Sequence, residues 1–189
     1  MLFVIDMQNE YVDKEKGKKY VKSSESMVDG IIEKIKDYER KGHYIFYTLD
    51  ISLDKKQKYN STNLINNKES ISNAEREASG DKKWACQPYY LLKPYLEKHK
   101  VIKKGYYALP PEALLDIQAY FEINGEHTGV IEFVGVETHI CVLANAICIQ
   151  SAFPNTNIII NGSLCKSKDK KDHEAALKLM EGLGMEIRR

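Results

Sequence analysis

The chain has 189 residues, 43% of them hydrophobic and 29% charged, and its 28 Lys and Arg nearly balance 27 Asp and Glu for a formal net charge of +1. That length suits one domain with a real hydrophobic core, and the composition excludes a disordered chain. The basic residues fall in short runs mixed with acids (Lys14 to Lys22, Lys55 to Lys58, Lys166 to Lys171), not in a stripe interleaved with aromatics, so no nucleic-acid partner is expected. Apolar runs such as Val130 to Val136 are far too short for a membrane span. The N-terminus enters a strand-like Leu2-Phe3-Val4-Ile5 with none of the marks of a signal peptide. Four cysteines (Cys86, Cys141, Cys148, Cys165) show no CxxC spacing. Free thiols in a reducing cytoplasm are the expectation.

Strand-like and helix-like segments alternate along the chain. Leu2 to Asp6 reads as a short buried strand ending in a carboxylate. Met27, Ile31, Ile35 and Tyr38 recur at helical spacing, with Ser24 or Ser26 as cap and Gly42 as stop. Tyr44 to Leu49 is a second strand, followed by Asp50. Residues 51–83 are polar and lack an apolar period, which suggests a surface insertion or lid. Tyr89 to His99 reads as helix and Lys100 to Lys104 as strand. Pro110-Pro111 opens a helix through Phe121. Gly129 to Val136 is a central strand, and Ile140 to Ala152 a helix apolar nearly all round, hence buried. Asn157 to Ile160 is a strand, Asp169 caps a last helix, and Met185 to Ile187 adds an edge strand. The expected fold is a three-layer α/β/α, Rossmann-like domain over residues 1–189, built on a six-stranded, mostly parallel sheet.

Sites in such folds form beyond the C-terminal ends of the strands. Three of those ends carry chemistry: Asp6, the pair Lys103-Lys104, and the segment from Gly135 into a helix bearing Cys141. A thiol with an ordinary pKa of about 8.5 is mostly protonated at neutral pH. With Thr138 as N-cap, Cys141 would sit in a first helical turn, where the macrodipole and free amides favour thiolate. A neighbouring ammonium would lower its pKa further, and a carboxylate can take the thiol proton and later pass it to a leaving amine. Backbone amides at the strand-to-helix turn are oxyanion-hole candidates. Each residue alone has an ordinary reading: a buried small hydrophobe for Cys141, a turn cap for Asp6, a solvent-facing lysine for the pair.

Three ordered segments, VIDMQNEY (Val4 to Tyr11), VIKKGYYA (Val101 to Ala108) and GVETHICVLANA (Gly135 to Ala146), resemble the isochorismatase-like hydrolases, a family that includes nicotinamidases. The resemblance extends through AFPNT, NGSLC and HEAALKLM near the end of the chain. It implies a cysteine hydrolase with Asp6 as general base and acid, Cys141 as nucleophile and a catalytic lysine. Lys104 keeps the Val-Ile-x-Lys spacing and is chosen; Lys103 remains the alternative. The resemblance also implies a cis peptide between Val136 and Glu137, with the amides of Glu137 and Cys141 forming the oxyanion hole. Tyr11, Trp84 and Tyr107, with Tyr106 beside them, are candidate aromatic walls for a small substrate; the other reading of each is packing.

Two departures stand out. Nicotinamidases hold a metal with an Asp-x-His motif plus further histidines; here the motif reads Asp50-Ile51-Ser52, and none of the five histidines lies in residues 51–83. No metal and no cofactor are expected. Glu137 stands where many relatives carry a small residue; its carboxylate either reaches into the pocket or bonds to His139, which is read as a hydrogen-bonded structural histidine, the alternative being a contact with substrate or a neighbouring subunit. The leading function is hydrolysis of a small-molecule amide C–N bond through a thioester. The alternatives are vinyl-ether cleavage, which needs the acid but not the thiol, and a non-catalytic binding or assembly protein. A homo-oligomer, dimer or tetramer, is expected from the resemblance alone.

Overall fold

A computed structural model describes residues 1–51, 81–124 and 129–189. Most of the 51–83 insertion therefore lies outside the described residues. Among them, six strands form one sheet in the order β3-β2-β1-β4-β5-β6, where β1 is Leu2–Ile5, β2 Ile45–Asp50, β3 Lys100–Lys104, β4 Val130–Val136, β5 Asn157–Lys166 and β6 Glu186–Arg188. Every pairing between these strands is parallel. The order steps outward from β1 in both directions, so the C-terminal ends of β1, β2, β3 and β4 gather at one edge, beside the switch point where sites form in such sheets.

Both faces of the sheet are covered, which is why its strands read as continuous apolar runs. On one face Phe46, Phe3 and Phe133, direct cross-strand partners, stack with centroids 5.3 and 5.1 Å apart. This face packs on α5 (Pro111–Asn124), α6 (Leu143–Ala152) and α7 (Lys170–Gly182). The other face, with Leu2, Val4, Tyr47 and Val134, packs on α1 (Asn9–Val12) and on Val28, Ile31, Ile35 and Tyr38 of α2 (Val28–Arg40). Three layers result. Among the described residues no helix is long and apolar enough to cross a membrane.

Several boundaries differ from the sequence reading. Neither Ser24 nor Ser26 caps α2: a 3₁₀ turn, Ser24–Met27, precedes the helix, and the two hydroxyls donate to the carbonyls of Tyr11 and Ser23. Helix α3 spans Asp81–Ala85. Within Tyr89 to His99 only α4, Lys93–Leu96, is helical. The amide of Tyr89 instead donates to the Met7 carbonyl, drawing that segment against the end of β1. Strand β5 runs on to Lys166, well past Ile160. Asp169 caps α7 as expected, its Oδ1 accepting from the Lys171 amide at 2.6 Å.

Candidate active site

Asp6 follows β1 with φ +48, a left-handed conformation that a short polar side chain tolerates better than most. Thr48 on the neighbouring β2 holds it there. The Thr48 hydroxyl oxygen accepts from the Asp6 amide at 3.0 Å, and the hydroxyl donates to Asp6 Oδ1 at 2.6 Å. Thr48 was not singled out from sequence, because a threonine in a strand is ordinary. Its place two residues before the strand-end Asp50, beside the strand that delivers Asp6, was the available signal.

Lys104 ends β3 and is 0% exposed, whereas Lys103 points to the opposite, exposed side. The Lys104 ammonium lies 2.6 Å from Asp6 Oδ2 and donates to the Tyr106 carbonyl at 3.1 Å and to Cys141 Sγ at 3.5 Å. The contact with Oδ2 is a buried ion pair. An acid, an ammonium and a thiol from three distant segments therefore meet at one edge of the sheet.

Cys141 sits differently from the expected first turn of an α-helix. Thr138–Val142 forms a π-helical turn, with the Val142 amide bonded to the Glu137 carbonyl at 3.1 Å, and α6 begins only at Leu143. Thr138 is not an N-cap; its hydroxyl is engaged by His173 instead, at 2.8 Å from Nδ1. The Val136–Glu137 peptide is cis. Gly135 has φ +121, and a Cβ there would collide with the Ile5 carbonyl oxygen, so only glycine lets β4 lie this close to β1 just before the turn.

The charges set the protonation states. Burial raises the Asp6 carboxyl above the usual carboxylate range, Lys104 pulls it back, and the Asp50 carboxylate raises it again. Lys104 is raised above its ordinary value: burial opposes its charge, but Asp6, Cys141 and Asp50 together outweigh burial. The two members of the pair thus shift in opposite senses for their charged forms, because one cation stands among several acidic groups. The thiol of Cys141 is pushed up, not down as expected from sequence: burial dominates, Asp6 adds to it, and Lys104 offsets only part. Lys104 is therefore charged and the Cys141 thiol neutral, and beside them the Asp6 carboxyl holds a proton more readily than an ordinary carboxylate.

Other residues frame this cluster. Tyr11 is buried and its hydroxyl donates to Asp50 Oδ2 at 2.6 Å. Gln8 Nε2 donates to the Asp50 and Cys86 carbonyls, and Asn9 Nδ2 to the Trp84 carbonyl at 2.9 Å, joining α1 to α3. Trp84 is half-buried. The rings of Tyr106 and Tyr107 lie 4.3 Å apart, tilted 49° to each other, and both residues are exposed; they reach the site through their carbonyls. Asn145 Nδ2 bridges the Tyr107 carbonyl (3.0 Å) and the Cys141 carbonyl (2.6 Å), tying the cysteine turn to the loop after β3. An asparagine among the apolar residues of the first turns of this helix was the available signal for it. Glu137 bonds to the backbone rather than to His139: Oε2 accepts from the Lys168 amide at 3.0 Å. His139 Nδ1 pairs with Ser167 Oγ at 2.8 Å.

A family model described as "Isochorismatase domain" matches residues 1–189. Among curated proteins none matches the sequence. Solved structures with the same fold include the nicotinamidase of Bacillus subtilis (20% identity, covering 100% of this chain and 98% of that one, TM-score 0.73). They also include the pyrazinamidase of Pyrococcus horikoshii in complex with zinc (20% identity, 100% and 97%, TM-score 0.71). A third is an isochorismatase family protein of Desulfovibrio vulgaris (14% identity, 99% and 92%, TM-score 0.71). Among the described residues no zinc site forms. The Asp50 carboxylate is bonded by Tyr11, the insertion after β2 supplies neither His nor Cys, and among the described residues no cluster of three His, Cys, Asp or Glu could hold a metal.

Proposed function

The chain belongs to the isochorismatase family, and within it we propose that this protein is a cysteine-dependent hydrolase cleaving an amide C–N bond of a small molecule. The observation that carries the reading is the contact of one buried ammonium with both Asp6 and the Cys141 sulfur. As Sγ adds to the substrate carbonyl carbon, Asp6 takes the thiol proton and the carbonyl electrons move onto oxygen. The amides of Glu137 and Cys141 receive that oxyanion. On collapse the C–N bond breaks, Asp6 passes its proton to the leaving nitrogen, and a thioester remains. Water then adds to the thioester carbonyl with Asp6 as base, the C–S bond breaks, and the thiol and a carboxylic acid are regenerated.

Neutral thiol and carboxylate suit this sequence, because proton transfer between them leaves the net charge of the buried cluster unchanged beside a fixed ammonium. Lys104 holds the acid and steadies the sulfur as negative charge develops there. Tyr11, Trp84 and Tyr107 are assigned to substrate binding, a reading supported by the Tyr11 hydroxyl bonded to Asp50 and by the Tyr107 carbonyl bonded to Asn145 beside the cysteine turn. The test is ammonia release from a panel of small primary amides, nicotinamide and pyrazinamide included, by wild type and Cys141→Ala. Loss of turnover in the variant supports the reading. Turnover that survives it would point to chemistry needing the acid alone, such as vinyl-ether cleavage, and tight binding with no turnover to a non-catalytic role.

A further inference from the structure

Three consecutive residues of the turn that leads to the cysteine are each held by one short segment, residues 167–173, at the junction of β5 and α7. Glu137 Oε2 accepts from the Lys168 amide at 3.0 Å. Thr138 Oγ1 and His173 Nδ1 are 2.8 Å apart. His139 Nδ1 and Ser167 Oγ are 2.8 Å apart, and the His139 amide points at the same hydroxyl at 3.4 Å. Thr138 is 0% exposed and Ser167 7%, so the two hydroxyls at the centre of the network are shielded from water, while the Glu137–Lys168 bond lies at the surface. One such bond would simply satisfy a buried polar group. Three on successive residues fix both the position and the rotation of the turn.

The anchoring segment is itself rigid. Asp169 caps α7 through the Lys171 amide, and the His173 amide continues the ladder to the Asp169 carbonyl at 3.2 Å. A π-helical turn lacks the regular i→i−4 bonding that would otherwise hold Thr138–Val142 in register. Donors aimed at an oxyanion lose their effect when displaced by about 1 Å.

We propose that Ser167 and His173 are positioning residues that lock the Glu137–Cys141 turn from the β5–α7 junction, keeping its backbone amides aimed at the reacting carbonyl oxygen. Its catalytic half rests on the cysteine-hydrolase reading above; its structural half does not. His173 donates to or accepts from Thr138 through Nδ1 alone, a position that an asparagine amide can reproduce and a leucine cannot. Ser167 acts on the adjacent residue, so it is an independent handle on the same turn.

The experiment compares wild type with Ser167→Ala, His173→Leu and His173→Asn by site-resolved amide hydrogen exchange and by kcat and KM for ammonia release from nicotinamide. The expected result is exchange over residues 137–142 accelerated about tenfold in Ser167→Ala and His173→Leu, with α2 unchanged and His173→Asn close to wild type. In the same variants kcat falls about 10- to 100-fold while KM stays within about twofold. Unchanged exchange in the turn, acceleration spread equally to α2, or no rescue by His173→Asn overturns the clamp. Full kcat in Ser167→Ala and His173→Leu, when Cys141→Ala is inactive, overturns its catalytic role. If nicotinamide is not cleaved, or is cleaved by Cys141→Ala, the cysteine-hydrolase reading fails for this substrate and the exchange data still decide whether the clamp exists. Should His173→Leu fail to fold, Ser167→Ala carries the same comparison.

Discussion

Replacing Lys104 by Met removes the ammonium while keeping an unbranched stem of similar length in the same buried slot. Asp6 is 1% exposed, and among the described side chains its cationic neighbour is Lys104, so the variant strands a carboxylate that water cannot reach. Breaking a buried pair from one side costs about 3–5 kcal/mol. With an m-value of about 2.5–3 kcal/mol/M for urea, the unfolding midpoint should fall by about 1–2 M. Lys103→Met, on the exposed side of the same strand, should cost no more than about 1 kcal/mol, the range of an exposed charge contact. The penalty should also depend on pH. In the folded variant burial holds the Asp6 pKa above its unfolded value of about 3.9, so on acidification the folded state takes up a proton before the unfolded state does. Stability lost at neutral pH should therefore be regained as pH falls through that raised pKa. Asp6→Asn combined with Lys104→Met should recover part of the loss in a double-variant cycle. Urea melts at several pH values measure all of this. A Lys104→Met protein as stable as wild type, or a larger loss from Lys103→Met, would refute the reasoning.

Because Asp6 must be ionised to accept the thiol proton, kcat/KM should rise through an acid limb lying above the ordinary carboxylate pKa of about 3.9, then stay flat through about pH 9 because the Cys141 thiol is raised. A second rise near about pH 8.5 would indicate a thiol of ordinary acidity. Thr48→Val leaves the Asp6 amide without its acceptor and Oδ1 without its donor, and should cost about 1–3 kcal/mol with a fall in kcat that Thr48→Ser restores. Thermal melts with matched kinetics check it. Gly135→Ala forces a Cβ into the Ile5 carbonyl at a positive φ, and should lower Tm by about 10 °C or leave the protein insoluble.

The layers and the strand ends were legible because parallel strands buried on both faces declare themselves as apolar runs, and because their C-terminal ends are where polar residues must appear. Asp6, Lys104 and Cys141 could be named on that ground together with the family motifs. Strand parity separates Lys103 from Lys104: Lys104 shares a side with buried Ile102 and meets Asp6, whereas Lys103 shares a side with exposed Val101. The extended helix read over Tyr89 to His99 failed because its backbone bonds to the Met7 carbonyl, a tertiary contact that periodicity does not encode. The acidity of Cys141 was misjudged for a related reason. Helix position and a lysine were visible in the sequence, but the depth of burial and the distance to Asp6 were not. Thr48, Ser167 and His173 escaped notice because each matters only through a partner far away in the chain.

The direct test is mass spectrometry of reactions quenched in acid during turnover of whichever small amide the enzyme cleaves. The expected result is an acyl adduct on the peptide containing Cys141, formed and lost at the catalytic rate and absent from Cys141→Ala. Steady turnover with no adduct, and undiminished in Cys141→Ala, would contradict the assignment of that sulfur as nucleophile.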